Sequence, residues 1–173
     1  MRLVVERGTG RNNANSYIDT ADVGEYLPSA MYKKFSELSA DEQIDCIVTA
    51  SLFIDYAFNW KGQQKTLEQG LNWPRVNAFF QGHNVPDDFI PLQIKKASAM
   101  AVSLILKFGL SVFQKTNEAQ VKKEKLGQLE TEYFETIKKS GLYNSEYSDI
   151  NNILRGLFIE PSNGVSTAEV LRK

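Results

Sequence analysis

The stretch Pro91-Leu92-Gln93-Ile94-Lys95-Lys96-Ala97-Ser98-Ala99-Met100-Ala101-Val102-Ser103-Leu104-Ile105-Leu106-Lys107-Phe108-Gly109 decides the fold class. Ala97, Met100, Ala101, Leu104, Ile105 and Phe108 recur at the i, i+3, i+4 spacing of one helix face, between a proline suited to a helix start and a glycine suited to its end. Lys95, Lys96 and Lys107 fall off that stripe, as a solvated helix edge would. Upstream, Ser39-Ala40-Asp41-Glu42 has the pattern of a capping box, in which hydroxyl and carboxylate serve each other's backbone N–H. Ile47, Ala50, Ile54, Ala57 and Phe58 continue at helical spacing, Leu52 and Phe53 make the other side apolar, and Gly62 is the expected stop. Thr20 is the expected cap of a short first helix, Ala21 to Leu27, with Asp22 in its first turn and Pro28 near its end. Ser148 is the expected cap of a last helix carrying Ile150, Ile153, Leu154, Leu157 and Phe158, closed by Glu160-Pro161-Ser162-Asn163-Gly164. The fold expected is mainly α, a small helical bundle.

The rest of the chain reads differently. Leu3-Val4-Val5 predicts a short N-terminal strand or extended arm, ending in a turn at Gly8-Thr9-Gly10. That turn is no phosphate loop, because the third glycine of a G-x-G-x-x-G would fall at Asn13 and no P-loop lysine follows. Lys61 to Ile90 is a long irregular loop holding Trp73-Pro74-Arg75, Phe79-Phe80 and His83, and loops of that length are more often functional than accidental. Trp73 and the Phe pair suit a satellite core under the loop better than a binding surface. Asp87 and Asp88 suit the start of the following helix. Between 121 and 133, Leu129, Thr131 and Tyr133 alternate with Glu130 and Glu132 after a turn at Gly127, which reads as an extended arm or β-hairpin, with a helical segment running on to Phe134 and Ile137 as the alternative. Such an arm is a natural place for strand addition to a neighbour. Residues 1–160 then form one domain, and 161–173 a tail that orders only on a partner. Ser166-x-x-Glu169 offers a capping box there, but the segment is too short to hold a helix alone.

Composition bounds the function. The chain has 173 residues, 42% of them hydrophobic, with 2 Trp, 7 Tyr and 10 Phe, so one domain with a real core is expected. Lys and Arg number 20 against 21 Asp and Glu, a balance that argues against a nucleic-acid coat or a polybasic membrane binder. No signal-peptide h-region or membrane-spanning run is visible, so a soluble protein made in a cytoplasm is expected. The single Cys46 allows no intrachain disulfide, and it reads as an inert core or boundary thiol. With one His and one Cys, no nucleophilic triad or metal cluster can be assembled, and no enzyme activity, cofactor or metal is expected.

Several stretches in order resemble one family of tailed-bacteriophage proteins: Ala14-Asn15-Ser16-Tyr17 before the first helix; Trp60-Lys61-Gly62; Leu71-Asn72-Trp73-Pro74-Arg75; Ile90-Pro91 with Lys95-Lys96-Ala97; Lys123-Glu124-Lys125-Leu126-Gly127 with Glu130-Thr131-Glu132-Tyr133; and the last amphipathic helix. Its members are treated as head-tail connectors, or neck adaptors, and are also labelled primosome-like single-stranded-DNA-binding proteins. Val23-Gly24 departs from the Ala-rich first helix that such proteins would have. The resemblance implies a structural subunit of the virion neck, synthesised in the host bacterial cytoplasm. It would form a ring, usually twelve-membered, between the portal protein and the tail or a second neck protein, with double-stranded DNA passing through unread. On that reading Ile153, Leu157 and Phe158 meet the portal or another partner, or else pack on the subunit's own core, and Val165, Val170 and Leu171 meet that partner; Val121, Lys123, Lys125, Leu129, Thr131 and Tyr133 form an intersubunit arm; and Trp73, Arg75, Phe79 and Phe80 make loop contacts. The alternative is a replication protein, in which Trp60, Trp73, Phe79 and Phe80 stack bases of single-stranded DNA while Lys61, Arg75, Lys95 and Lys96 neutralise phosphates.

Overall fold

The computed structural model describes residues 2–109 and 147–160, and the backbone of 121–126 and 129–134. It is mainly α with small β-hairpins. Among the described residues five helices are formed: α1 (Thr20–Tyr26), α2 (Ser29–Ser36), α3 (Ala40–Ala57), α4 (Leu92–Phe108) and α5 (Ser148–Leu154). Among the described residues, no helix is long and apolar enough to cross a membrane.

The helix around which the others assemble is α4. Ile94, Ala97, Ala99, Ala101, Val102, Leu104 and Ile105 are all buried, and α3, α5, α1 and α2 all pack on it. Its small residues let neighbouring backbones approach, and its apolar surface runs round more of the helix than the expected stripe. Phe108, expected on the buried face, is half-exposed at the last turn, just before Gly109 ends the helix at φ 76°. Lys95 is not simply a solvated edge: its ammonium lies 3.4 Å from Asp22 Oδ1 of α1.

Two helix starts lie elsewhere than the sequence pattern predicts. The cap of α1 is Asp19, not Thr20, because the Asp19 carboxylate accepts from the backbone N–H of both Ala21 and Asp22 while Asp22 reaches back to Asp19 N–H. At α5, Tyr147 occupies the capping position and Ser148 is the first helical residue, with no side-chain cap bond. The box at Ser39 forms as expected, with Glu42 Oε2 2.8 Å from Ser39 N. The α3 helix ends at Ala57, ahead of Gly62. Pro28 opens the unforeseen α2, since its fixed φ suits a helix entry as well as an exit.

The N-terminal arm forms no strand. Val5 makes a single parallel bridge to Ser16, and Asn15 side-chain atoms tie Val4 N–H and Arg2 carbonyl. The loop after α3 is built from two short hairpins, β1 (Gln63–Gln64) with β2 (Arg75–Val76) and β3 (Phe79–Phe80) with β4 (His83–Asn84). The second turns through Gln81 and Gly82, both at positive φ (50° and 82°), the two-residue turn whose twist matches the strands and which favours glycine at its second position. The 121–133 arm is a hairpin of β5 (Val121–Leu126) and β6 (Leu129–Phe134). Residues 161–173, with Val165, Val170 and Leu171, lie outside the described residues.

Candidate functional site

The Trp-Pro-Arg loop is where chemistry is most concentrated, and its geometry is inward. Asp55, near the end of α3, is 1% exposed. Its carboxylate receives Tyr17 O–H, Asn72 N–H at 2.7 Å and Asn72 Nδ2–H at 3.0 Å. Trp73 N–H donates in turn to Tyr17 Oη at 3.1 Å, and Trp60 Nε1–H to the Asp55 carbonyl at 3.0 Å. Burial pushes the Asp55 carboxyl above its ordinary range, against the hydrogen bonds from Tyr17 and Asn72. Burial, with the Asp55 charge beside it, also pushes Tyr17 well above the usual phenol value.

Arg75 completes the clamp from the other side. Its guanidinium donates to three backbone carbonyls, of Lys61 (2.8 Å), Asn72 (3.1 Å) and Gly62 (2.7 Å). Arginine is the side chain whose planar fork can serve several carbonyls from one place. Gln69 adds two more bonds, to the carbonyls of Leu71 and Pro74. Trp73, preceding a cis peptide to Pro74, is fully buried and packs edge-on to Trp60 at 6.0 Å; its indole N–H finds no acceptor, so it contributes volume. The loop is thus a satellite core. Trp60, Trp73 and Arg75 hold the chain together and present nothing to a base or phosphate.

The C-terminal stripe has a similar fate. Leu157 and Phe158 lie beyond α5, in a turn and an antiparallel bridge to Trp60. Both are buried, at 1% and 5% exposure; Ile153 is partly buried against the same core. Phe158 packs on Phe58 at 4.8 Å, and Lys61 N–H and Ile159 N–H bond across the bridge to the Leu157 and Asn59 carbonyls. Of the two places expected for Leu157 and Phe158, a partner or the subunit's own core, they lie in the core. A turn at Gly156 ends the helix early and lets the next residues strap the loop.

What remains outward is the tip of the second hairpin. Phe79 is 59% exposed, with His83 and Asn84 exposed beside it. Phe80 is half-buried and lies over Gly156, next to exposed Arg155, and the Lys61 ammonium donates to the Gly156 carbonyl at 2.8 Å. Side chains alternate along a strand, so Phe79 faces away from Phe80 and Gly156, with Asn84 as its cross-strand neighbour, while His83 is paired with Phe80. Lys96 is exposed on α4, while Lys95 is engaged with Asp22. The structure does not gather the sequence-predicted set, since Trp60, Trp73 and Arg75 lie inside and Phe79 outside.

The Gly8-Thr9-Gly10 turn also has an occupant. Glu6, 1% exposed, places Oε1 against the N–H groups of Gly8 (2.8 Å), Thr9 (2.6 Å) and Gly10 (3.0 Å), and Oε2 against that of Arg11 (2.7 Å). Converging backbone N–H groups make an anion nest, here filled by the chain's own carboxylate. Gly8, at φ 102°, is required because a Cβ there would lie 1.7 Å from the Asp88 carbonyl. Asp87 and Asp88 are exposed in the turn ahead of α4 and outside its first turn. Cys46 is half-buried with its thiol pushed up by burial. Among the described residues no cluster of metal-binding side chains occurs.

With four helices packed on α4 and a loop clamped by its own buried polar groups, the molecule is a mainly α domain with small β-hairpins. A family model described as "Putative DnaT-like ssDNA binding protein" matches residues 1–173. The chain belongs to that family. No curated protein and no solved structure matches it.

Proposed function

We propose that this protein binds single-stranded DNA, through the Phe79–Asn84 hairpin and the adjoining Arg155 turn rather than through the Trp-Pro-Arg loop. The observation that carries the reading is the whole-chain match to a DnaT-like family. Phe79 supports it as a solvent-facing ring on a hairpin strand, since bases of any identity stack on an exposed aromatic face. Lys61 and Arg155 supply positive charge on the hairpin's other face, where Phe80 lies over Gly156. Titration of a labelled ~30-nucleotide strand at ~50 and ~200 mM salt tests it. The expected result is submicromolar affinity that falls with salt, and a loss of about tenfold in Phe79→Ala. No binding at ~50 mM salt, or Phe79→Ala and Arg155→Ala both binding as wild type, would overturn it.

A second reading is favoured by the burial of Trp60, Trp73 and Arg75, which removes the residues a stacking groove would use. On that reading the protein is a virion head-tail connector, ringed between portal and tail around double-stranded DNA, with the tail 161–173 meeting the partner. Its test is electron microscopy of the protein mixed with portal-bearing heads. Deletion of 165–173 would abolish attachment, and unchanged attachment would count against that role for the tail.

A further inference from the structure

The Phe79–Asn84 hairpin has two unlike faces. Residues directly opposite in an antiparallel pair share a face and successive residues alternate, so Phe79 goes with Asn84 and Phe80 with His83. The Phe80 face is the one that meets the body of the protein. Below it the buried Val85 donates its N–H to the carbonyl of the buried Ala78 at 2.8 Å, and the Phe80 ring lies over Gly156. The Lys61 ammonium uses one of its three N–H groups on the Gly156 carbonyl, at 2.8 Å, and the neighbouring Arg155 and His83 are exposed. Among the described residues the ion pairs are those of Arg7 and Lys95 with Asp19 and Asp22, so no carboxylate there neutralises Lys61 or Arg155. The opposite face offers the exposed Phe79 ring and the Asn84 amide, and no charge.

Stacking surface and positive charge therefore lie on opposite sides of one ribbon, joined at its end by the two-residue turn Gln81–Gly82. That end is open, since a Cβ at Gly82 would have no atom within 4 Å. Resting on the reading that this protein binds single-stranded DNA, we infer that the strand crosses the hairpin over this turn. One base stacks on Phe79, and phosphates a few nucleotides along are seated among Lys61, His83 and Arg155 on the other face. Lys61 and Arg155 supply charge-assisted N–H donors to phosphate oxygens, and His83 adds a ring N–H. A strand lying along one face alone would meet the ring or the cations, never both. Gln81 is then the position that the sugar-phosphate backbone passes, and a duplex is too stiff to follow the same path.

Titration of the full chain with a labelled ~12-nucleotide strand, across ~50 to ~200 mM salt, tests the path. Arg155→Ala should make the plot of log affinity against log salt shallower by about 0.7, the share of one phosphate contact on a single strand. Phe79→Ala should lower affinity and keep the slope, because stacking releases no counterion. Gln81→Asp and Gln81→Asn test the crossing itself, since both side chains suit the first position of this turn and only one brings a charge. Gln81→Asp should bind about fivefold more weakly than Gln81→Asn, by repulsion of the passing phosphates. An unchanged slope in Arg155→Ala, equal affinity of the two Gln81 variants, or equally tight binding of a duplex of the same sequence would each overturn the inference. If Phe79→Ala still weakens binding in that event, the strand stacks on one face alone and the reading of the protein as a single-strand binder stands. A wild type that binds no strand at ~50 mM salt overturns both.

Discussion

Glu6 and Arg75 show how much of this fold hangs on single buried polar groups. Four backbone N–H groups converge on Glu6, and an unsatisfied buried donor costs about 1–3 kcal/mol. Glu6→Ala should therefore destabilise by about 3–5 kcal/mol, lowering the Tm by about 10 °C in a chain of this size, and calorimetry reads it. If the nest were instead a ligand site, removal of the carboxylate would leave stability unchanged. Arg75→Lys keeps the charge but cannot reach three carbonyls together. A loss of about 2–3 kcal/mol is expected in chemical denaturation, whereas a surface arginine would show almost none. Neither role was legible in the sequence. Glu6 reads like any charged residue after a short apolar run, and although Trp73 suits a satellite core better than a binding surface, nothing in Trp-Pro-Arg shows what Arg75 serves, because the partners of both are carbonyls and amides that only folding brings near.

At the scale of elements, periodicity and capping chemistry identified α3, α4 and α5 because their signals are local. Ser39 and Glu42 lie within one turn, so Ser39→Ala should cost about 1 kcal/mol, measured as a small shift of the urea midpoint. The same logic misplaced the start of α1, where Asp19 competes with Thr20 for the cap and has the ionised acceptor that two N–H groups prefer. It also carried α5 one turn too far, for Leu157 and Phe158 keep helical spacing while serving a bridge to Trp60. Phe158→Ala should cost about 3–5 kcal/mol and unfold the strap together with the loop, read as coincident loss of near- and far-ultraviolet circular dichroism. A partner-binding side chain would leave both spectra unchanged.

Across the whole molecule, the Tyr17–Asp55 pair links the N-terminal arm, α3 and the clamped loop, and its titration should be visible globally. Tyr17 is held well above its ordinary value, so the folded state keeps its proton where the unfolded chain loses it. Its stabilising contribution is present below the unfolded phenol range and declines as pH rises from about 10. Asp55, also raised, contributes most below the ordinary carboxylate range and loses that contribution as pH rises through its folded value. Asp19 is lowered by its bonds to Asp22 and Arg7 although burial opposes them; its contribution is present above the ordinary range and fades as pH falls. Tm measured against pH should therefore drop on the alkaline side, in step with tyrosinate absorbance. Tyr17→Phe should flatten that drop while lowering Tm at neutral pH, and an unchanged alkaline limb would refute the assignment.

The sequence by itself determined the helical class, the buried character of α3 and α4, the cap at Ser39 and the place of the hairpin. Each is written in residues a turn or a strand pair apart. The tertiary structure alone decided which aromatics face inward. Trp73 and Phe79 are both large, apolar and six residues apart in one loop, yet one is fully buried and the other 59% exposed. That difference arises from Tyr17, Asp55 and the Phe158 strap, which reach the loop from other parts of the chain. No local pattern records such contacts, because burial is a property of the closed fold and not of the residue that is buried.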